Sequence, residues 1–200
     1  MVHMDIEKLK KKLLTGTSEG YAVLLPLIEK DGGWSVLFEV RSPQIIQGGE
    51  VCFPGGRIEE DETAQTAAVR ETCEELLISP EQIEILAPLP DHVHSPRFVS
   101  AYVGILHDYR GTHNEESERV FSIPLQELLK EGPIISEISY ELHFPEDFPF
   151  ELIPFGRNYP FRSRKEMVCF YKRPEALIWG MTANIMRIFL EILKENPDIL

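Results

Sequence analysis

Glu71, Glu74 and Glu75 stand at i, i+3 and i+4, directly after Arg70. On a helix turning about 100° per residue, these three carboxylates share one face. Ala64, Ala67 and Ala68 fall on the same stripe, and Val69, Cys73 and Leu76 on the opposite one. Small residues let a helix lie close to neighbouring backbone, so this helix should be sandwiched rather than laid on a surface. Its carboxylates repel one another near the helix C-terminus, where the backbone dipole also disfavours negative charge. No lysine sits one turn away on that stripe. The bland reading is a solvated acidic face. The chemical reading is a site for Mg2+ or Mn2+, since Mg2+ favours carboxylate and water oxygens and is commonly shared with substrate phosphates.

The elements that must hold this stripe follow from local pattern. Thr63 to Leu76 lacks Gly and Pro and is rich in Ala and Glu, which predicts a helix. Asp61 to Thr63 supply acidic or hydroxyl groups for its first turn. Val51 to Phe53 should be a short strand, stopped by Pro54-Gly55-Gly56. Upstream, Tyr21 to Ile28 and Ser35 to Arg41 are apolar, β-prone runs. Lys30-Asp31-Gly32-Gly33 between them predicts a hairpin. Glu81 to Leu86 and Ser100 to Leu106 read as strands, with a loop from Leu89 to Phe98 between them. Val120 to Pro124 reads as a short strand and Leu125 to Lys130 as a turn or two of helix. Ile185, Ile188, Phe189, Ile192 and Leu193 mark one face of a final helix beginning near Thr182. Residues 1–18 suggest a short amphipathic helical extension through Ile6, Leu9 and Leu13. Segment 136–172 carries four prolines among many aromatics. It reads as a hairpin insertion that completes the core, or as a wall of a ligand pocket or a homodimer contact.

Two hundred residues suffice for a single domain with a sizeable core. The hydrophobic share of 43% is ordinary. No apolar run is long enough to span a bilayer. The three cysteines, Cys52, Cys73 and Cys169, form neither a disulfide framework nor a zinc pattern, which points to a reduced, cytoplasmic protein. A net charge of −13 argues against nucleic acid as a partner. It leaves room for a small phosphorylated ligand, because metal ions and a few arginines offset the local field.

The stretch Phe53 to Ile78, FPGGRIEEDETAQTAAVRETCEELLI, resembles the signature of the Nudix hydrolases, G-x5-E-x7-R-E-U-x-E-E-x-G-U, where U is a bulky aliphatic. Counted from Gly56, the match runs through Glu62, Arg70, Glu71, Glu74 and Glu75. Thr72 and Leu77 depart from it. The resemblance implies an α/β/α sandwich with a mixed central sheet and the signature helix at its centre. It also implies hydrolysis of a nucleoside diphosphate derivative. On this reading Glu71, Glu74 and Glu75 and the Gly55 carbonyl are metal ligands, and Glu62 and Arg70 form a supporting ion pair. Glu74, Glu75 and Arg70 join the catalytic set. A later-loop carboxylate, Glu118 first, competes with a signature glutamate as general base. The histidines His92 and His94 read as ordinary loop residues. At the signature's Gly position, Leu77 should continue the helix or turn without positive φ.

The preceding run, Leu37 to Gly56, is similar to the coenzyme A pyrophosphatase branch, L-L-T-[KR]-R-[SA]-x3-R-x3-G-x3-F-P-G-G. Arg41, Ser42, Gly49, Phe53, Pro54, Gly55 and Gly56 match, which assigns Arg41, Ser42, Gly49, Phe53 and Gly56 to substrate. Glu39 and Val40 do not match, the run is one residue shorter between Ser42 and Gly49, and Ile45-Ile46 stand where the second Arg belongs. The activity implied is cleavage of coenzyme A or acyl-coenzyme A to 3′,5′-ADP and 4′-phosphopantetheine. The alternatives are another nucleotide such as ADP-ribose, or a non-catalytic nucleotide-binding module. Arg97 and Arg157 are the cations that could replace the missing Arg.

Overall fold

The computed structural model describes residues 20–90, 92–94 and 97–199. The expected N-terminal helix lies outside them, as do the side chains of His92, His94 and Arg97. A hairpin of β1 (Gly20–Lys30) and β2 (Gly33–Arg41) opens the chain. Its turn carries Asp31 at φ 53° and Gly32 at φ 75°, the two positive values that a tight two-residue hairpin turn requires. The short strands β3 (Val51–Cys52) and β4 (Gly55–Arg57) follow, then helix α1 (Ala64–Leu76). Next come β5 (Ile83–Pro88), β6 (His92–His94), β7 (Arg97–Leu106) and β8 (Ser117–Pro124). Helix α2 (Leu125–Lys130) and helix α3 (Gly180–Glu195) flank β9 (Ile134–Tyr140), β10 (Arg164–Lys172) and β11 (Leu177–Trp179).

Strands β1 to β8 form one sheet with the central order β3-β2-β1-β7-β5. Strand β7 runs parallel to β1, while the other pairings are antiparallel. The sheet is therefore mixed. Period-two alternation divides its side chains between two cores. From β1, Leu25 and Leu27 join Val36, Phe38, Ala101 and Val103 against Leu125 and Leu128 of α2 and Ile185, Met186 and Phe189 of α3. Ala22 and Leu24 point to the other face, where they meet Ala67, Ala68 and Leu76 of α1. This gives the α/β/α sandwich.

Several boundaries differ from expectation for local reasons. Thr63 caps α1 from outside, its hydroxyl accepting from the Thr66 N–H at 3.1 Å. Residues 92–94 are a strand paired to β7 rather than part of an open loop. Pro80–Gln82 form a 3-10 turn, so Glu81 precedes β5. Leu77 adopts φ 54°, ψ 48°, contrary to the expectation of a turn without positive φ. The chain must leave the helix at once, and the Leu77 and Ile78 N–H groups both cap the Cys73 carbonyl. That backbone demand outweighs the side-chain penalty. The sandwiching of α1 also holds on one side only: Val69 and Cys73 are half-buried, whereas Ala67, Ala68, Thr72, Glu75 and Leu76 are buried. Thr72 fills its aliphatic position by donating its hydroxyl to the Ala68 carbonyl at 2.6 Å.

Strands β9, β10 and β11 make a second, antiparallel sheet. Cys169 and Tyr171 of β10 enter the main core, while all of β9 is exposed. The connection 141–163 is held by rings: Phe144 packs on Phe148, Phe150 and Phe161 at centroid distances of 4.8, 5.1 and 4.8 Å. Arg157 lies over Phe150 at 4.5 Å. Lys165 pairs with Glu137 at 2.6 Å and Arg164 with Glu166 at 3.4 Å. Arg164 and Lys165 are thus each paired with a carboxylate within the second sheet.

Candidate functional site

The signature residues meet where α1 crosses the β1–β4 edge. At Gly56 a Cβ would stand 2.3 Å from the Glu71 carboxyl carbon, so only glycine lets this carboxylate lie on the strand. At Gly55, φ is +151° and a Cβ would stand 2.3 Å from the Ala22 carbonyl oxygen. The Gly55 N–H donates to Glu75 Oε2 at 2.8 Å, pinning the second carboxylate to the same turn. Glu75 is buried, and its own carbonyl accepts from the Asn114 N–H at 2.7 Å.

Glu62 and Arg70 do meet, because Glu62 lies in the loop that folds back beside α1. Arg70 Nε and Nη2 each donate to one oxygen of Glu62 at 3.0 Å, a bidentate pairing that fixes the guanidinium plane. The guanidinium holds the Glu62 carboxyl below the usual carboxylate range. Arg70 Nη1 also donates to Glu71 Oε1 at 2.9 Å, and Nη2 to the Arg57 carbonyl at 3.0 Å. One arginine thereby ties loop, strand and carboxylate together. Glu74 is exposed, 3.6 Å from Arg70 Nη1, and does not line the cleft that Glu71 and Glu75 share.

Behind Glu75 lies Glu39 of β2, only 1% exposed in a strand otherwise apolar from Val36 to Val40. Ser117 and Glu75 hydrogen-bond its carboxyl group, and its Oε1 has no partner. Burial first, then the mutual charge of Glu39 and Glu75, pushes the Glu75 carboxyl well above the ordinary range. Burial likewise raises Glu39. Burial and these two charges push the Cys52 thiol up to about 12. Burial also raises Glu71, against the pull of Arg70.

Glu71 and Glu75 line a cleft of about 760 Å³. Arg41, Phe53, Gly55 and Gly56 line it too, as do Arg57 and Glu116. Ile138, Met167 and Trp179, from the second sheet, form its far wall. Arg41 Nε donates to the Ile46 carbonyl at 3.1 Å, curling the 42–50 loop over its own strand. Two expected substrate residues stand off the lining. Ser42 is buried and its N–H donates to the Glu116 carbonyl at 2.7 Å. Gly49 turns the loop at φ 82°, its N–H donating to the Arg41 carbonyl at 2.9 Å. Both shape the loop rather than face the cleft. Glu118 is exposed and off the lining as well, because β8 already begins at Ser117. Glu116, two residues earlier, lines the cleft, and its charge reaches both Glu71 and Glu75. Arg157 sits in the aromatic connection, off the lining.

Glu39, Arg57 and Glu116 were missed from sequence. A lone Glu in an apolar strand was the available signal for Glu39, and Glu116 shares the acidic loop of Glu118.

The donor set fits a hard divalent cation. It is made of carboxylate oxygens, with one buried oxygen unpartnered and a glycine cradle that a Cβ would fill. Among the described residues no group of three or more acidic, histidine or cysteine side chains is placed to hold a metal ion by itself. An open set suits an ion completed by water and phosphate oxygens.

Fold and site together define an α/β/α sandwich with carboxylates gathered on one helix. A NUDIX domain model matches residues 19–142, and the chain belongs to the Nudix hydrolase family. It is 33% identical over 192 residues to the peroxisomal coenzyme A diphosphatase NUDT7 of Mus musculus, spanning 90% of this chain and 73% of that protein. It is 31% identical over 186 residues to Nudix hydrolase 3 of Caenorhabditis elegans, spanning 89% and 74%. The crystal structure of a MutT/nudix family protein from Enterococcus faecalis shares the fold, with a TM-score of 0.50 at 14% identity, over 96% of this chain and 70% of that one. Nudix hydrolases generally use divalent metals. No helix among the described residues is long and apolar enough to cross a membrane.

Proposed function

We propose that this protein is a Mg2+- or Mn2+-dependent hydrolase that cleaves the diphosphate of coenzyme A or a short acyl derivative. The products are 3′,5′-ADP and 4′-phosphopantetheine. One observation carries the reading: a single cleft joins Glu71 and Glu75 to Arg41 on one side and to the apolar wall of Ile138, Met167 and Trp179 on another. A ligand with a central diphosphate, a phosphorylated nucleoside and a long, weakly polar arm suits that sequence of surfaces. The upstream motif through Arg41 and Phe53 supports it, as does the likeness to a coenzyme A diphosphatase.

In this reading Glu71 and Glu75 hold the ion, with the Gly55 carbonyl and Glu74 as further candidate ligands. The bound ion supplies charge neutralisation on the diphosphate and a more acidic water. Arg70 positions Glu71 and keeps its carboxylate on Gly56. The general base moves from Glu118 to Glu116, which faces the cleft. Arg41 meets phosphate.

A broader nucleotide reading has one observation in its favour. Ile46 lines the cleft where the motif carries its second Arg, and isoleucine cannot make that arginine's bidentate phosphate contact. A panel of coenzyme A, acetyl-coenzyme A, dephospho-coenzyme A and ADP-ribose, each with Mg2+ and Mn2+, decides between them by mass spectrometry of the products. Coenzyme A or its acyl derivative should be cleaved faster than ADP-ribose at equal concentration. Faster ADP-ribose cleavage overturns the coenzyme A reading.

A further inference from the structure

Glu39 has no place in the signature or in the upstream motif, which carries Thr at this position. It is nevertheless among the most buried polar residues of the molecule, at 1% exposure. A carboxyl group is expensive to hold out of water without a compensating charge. Its contacts do not provide one. Ser117 can donate a single hydroxyl hydrogen, Glu75 is itself acidic, and Oε1 has no partner. Arg41 and His113 act on Glu39 through their fields, yet both are engaged elsewhere. Arg41 Nε donates to the Ile46 carbonyl, and His113 Nδ1 is taken up with the Asn114 carbonyl at 2.9 Å. Phe38 and Val40 point into the opposite core, so Glu39 shares the face of Leu37, toward the C-terminal turn of α1 that carries Glu75. Two carboxyl groups in contact, one with an unused buried oxygen, stand behind the cleft lining that Glu75 joins and Glu39 does not.

We infer that Glu39 is an additional ligand, carried on β2, for the divalent cation held by α1, and that Glu39 and Glu75 bind it jointly. The inference rests on the metal-dependent reading above and adds a charged strand ligand to the α1 carboxylates and the Gly55 carbonyl. It follows that the ion in this chain is anchored to the central sheet as well as to α1. Thr at this position would offer one hydroxyl and no charge, so the substitution of Glu for the motif's Thr strengthens the protein's own hold on metal before substrate arrives.

The test is substrate-free Mn2+ binding to chelator-stripped protein, followed by the electron paramagnetic resonance signal of free Mn2+. Melting temperatures with and without Mn2+ accompany it. Glu39→Gln keeps shape and removes charge. Glu39→Asp keeps charge and withdraws the oxygens by one methylene. Both should lose at least tenfold in Mn2+ affinity and most of the Mn2+-induced rise in Tm, while metal-free Glu39→Gln melts no lower than wild type. Glu39→Thr is the fallback if Glu39→Gln fails to fold, with the same expected loss. If Glu39→Gln binds Mn2+ within twofold of wild type while Glu75→Gln does not, the inference is wrong and the metal site on α1 stands. Full affinity in Glu39→Asp alone overturns ligation in favour of a field effect. Wild-type affinity in both Glu39→Gln and Glu75→Gln overturns the metal-site reading itself.

Discussion

At the scale of single residues, the site is a balance between close approach and charge. Gly55 and Gly56 admit two glutamates onto the strand edge, and Arg70 compensates one of them. Glu75 accepts the Gly55 N–H and meets Glu39, another carboxyl group, rather than a cation. Glu75→Gln keeps that hydrogen-bond geometry and removes an ion-binding charge. Turnover should fall by orders of magnitude, because charge stabilisation at the reacting phosphoryl is a dominant catalytic term. The fold should survive, as judged by an unchanged or higher Tm without metal; near wild-type turnover at saturating metal would exclude Glu75 as a ligand. The same pair sets a pH dependence. Unfolded, both carboxyls ionise in the ordinary range; folded and metal-free, they keep protons longer, Glu75 up to about 9. The folded state then binds more protons, so stability is lost as pH rises from the ordinary carboxylate range toward that value. Melting curves in chelator should show Tm falling over this window, and Glu75→Gln should flatten the slope. The charged signature positions were legible because their spacing is fixed by helix geometry. Glu39 was not, because its meaning depends on a contact between β2 and α1 that no local pattern encodes.

At the scale of elements, α1 was legible for physical reasons. Ala and Glu favour helix, Thr63 caps it, and the flanking strand ends in Pro-Gly-Gly. Its end was misjudged because the side chain argued against a left-handed residue while the backbone required one. The penalty for a non-glycine in that region is about 1–2 kcal/mol, partly offset by the greater freedom glycine has in the unfolded chain. Leu77 is 60% exposed, so its removal forfeits little burial. Leu77→Gly should therefore stabilise the protein by about 0.5–1 kcal/mol, read as a Tm increase of roughly 1–3 °C. An unchanged or lower Tm would mean that the Leu77 side chain makes a compensating contact. The short strands β6 and β11 were missed because three residues carry too little periodicity to be told from loop.

At the scale of the whole molecule, the cleft belongs to neither sheet alone. The eight-stranded sheet with α1 supplies the carboxylates, and the second sheet supplies the apolar wall. The pairing of β9 with β10 is the hairpin expected of segment 136–172, but its register was beyond the sequence because a 23-residue connection, 141–163, separates Tyr140 from Arg164. Only the folded aromatic cluster shows how that connection is anchored. The consequence is a division of labour that substrates can report. Met167 of β10 lines the cleft and is 52% exposed, so replacing it should leave the core intact. Met167→Glu sets a charge on the wall opposite the metal-binding helix. If the pantetheine arm lies there, kcat/KM for coenzyme A should fall by about 1 kcal/mol, roughly fivefold, mostly through KM. Cleavage of ADP-ribose, which has no such arm, should change less than twofold. Equal losses for both substrates would mean that the added charge acts on the diphosphate site, and that the arm runs along another surface.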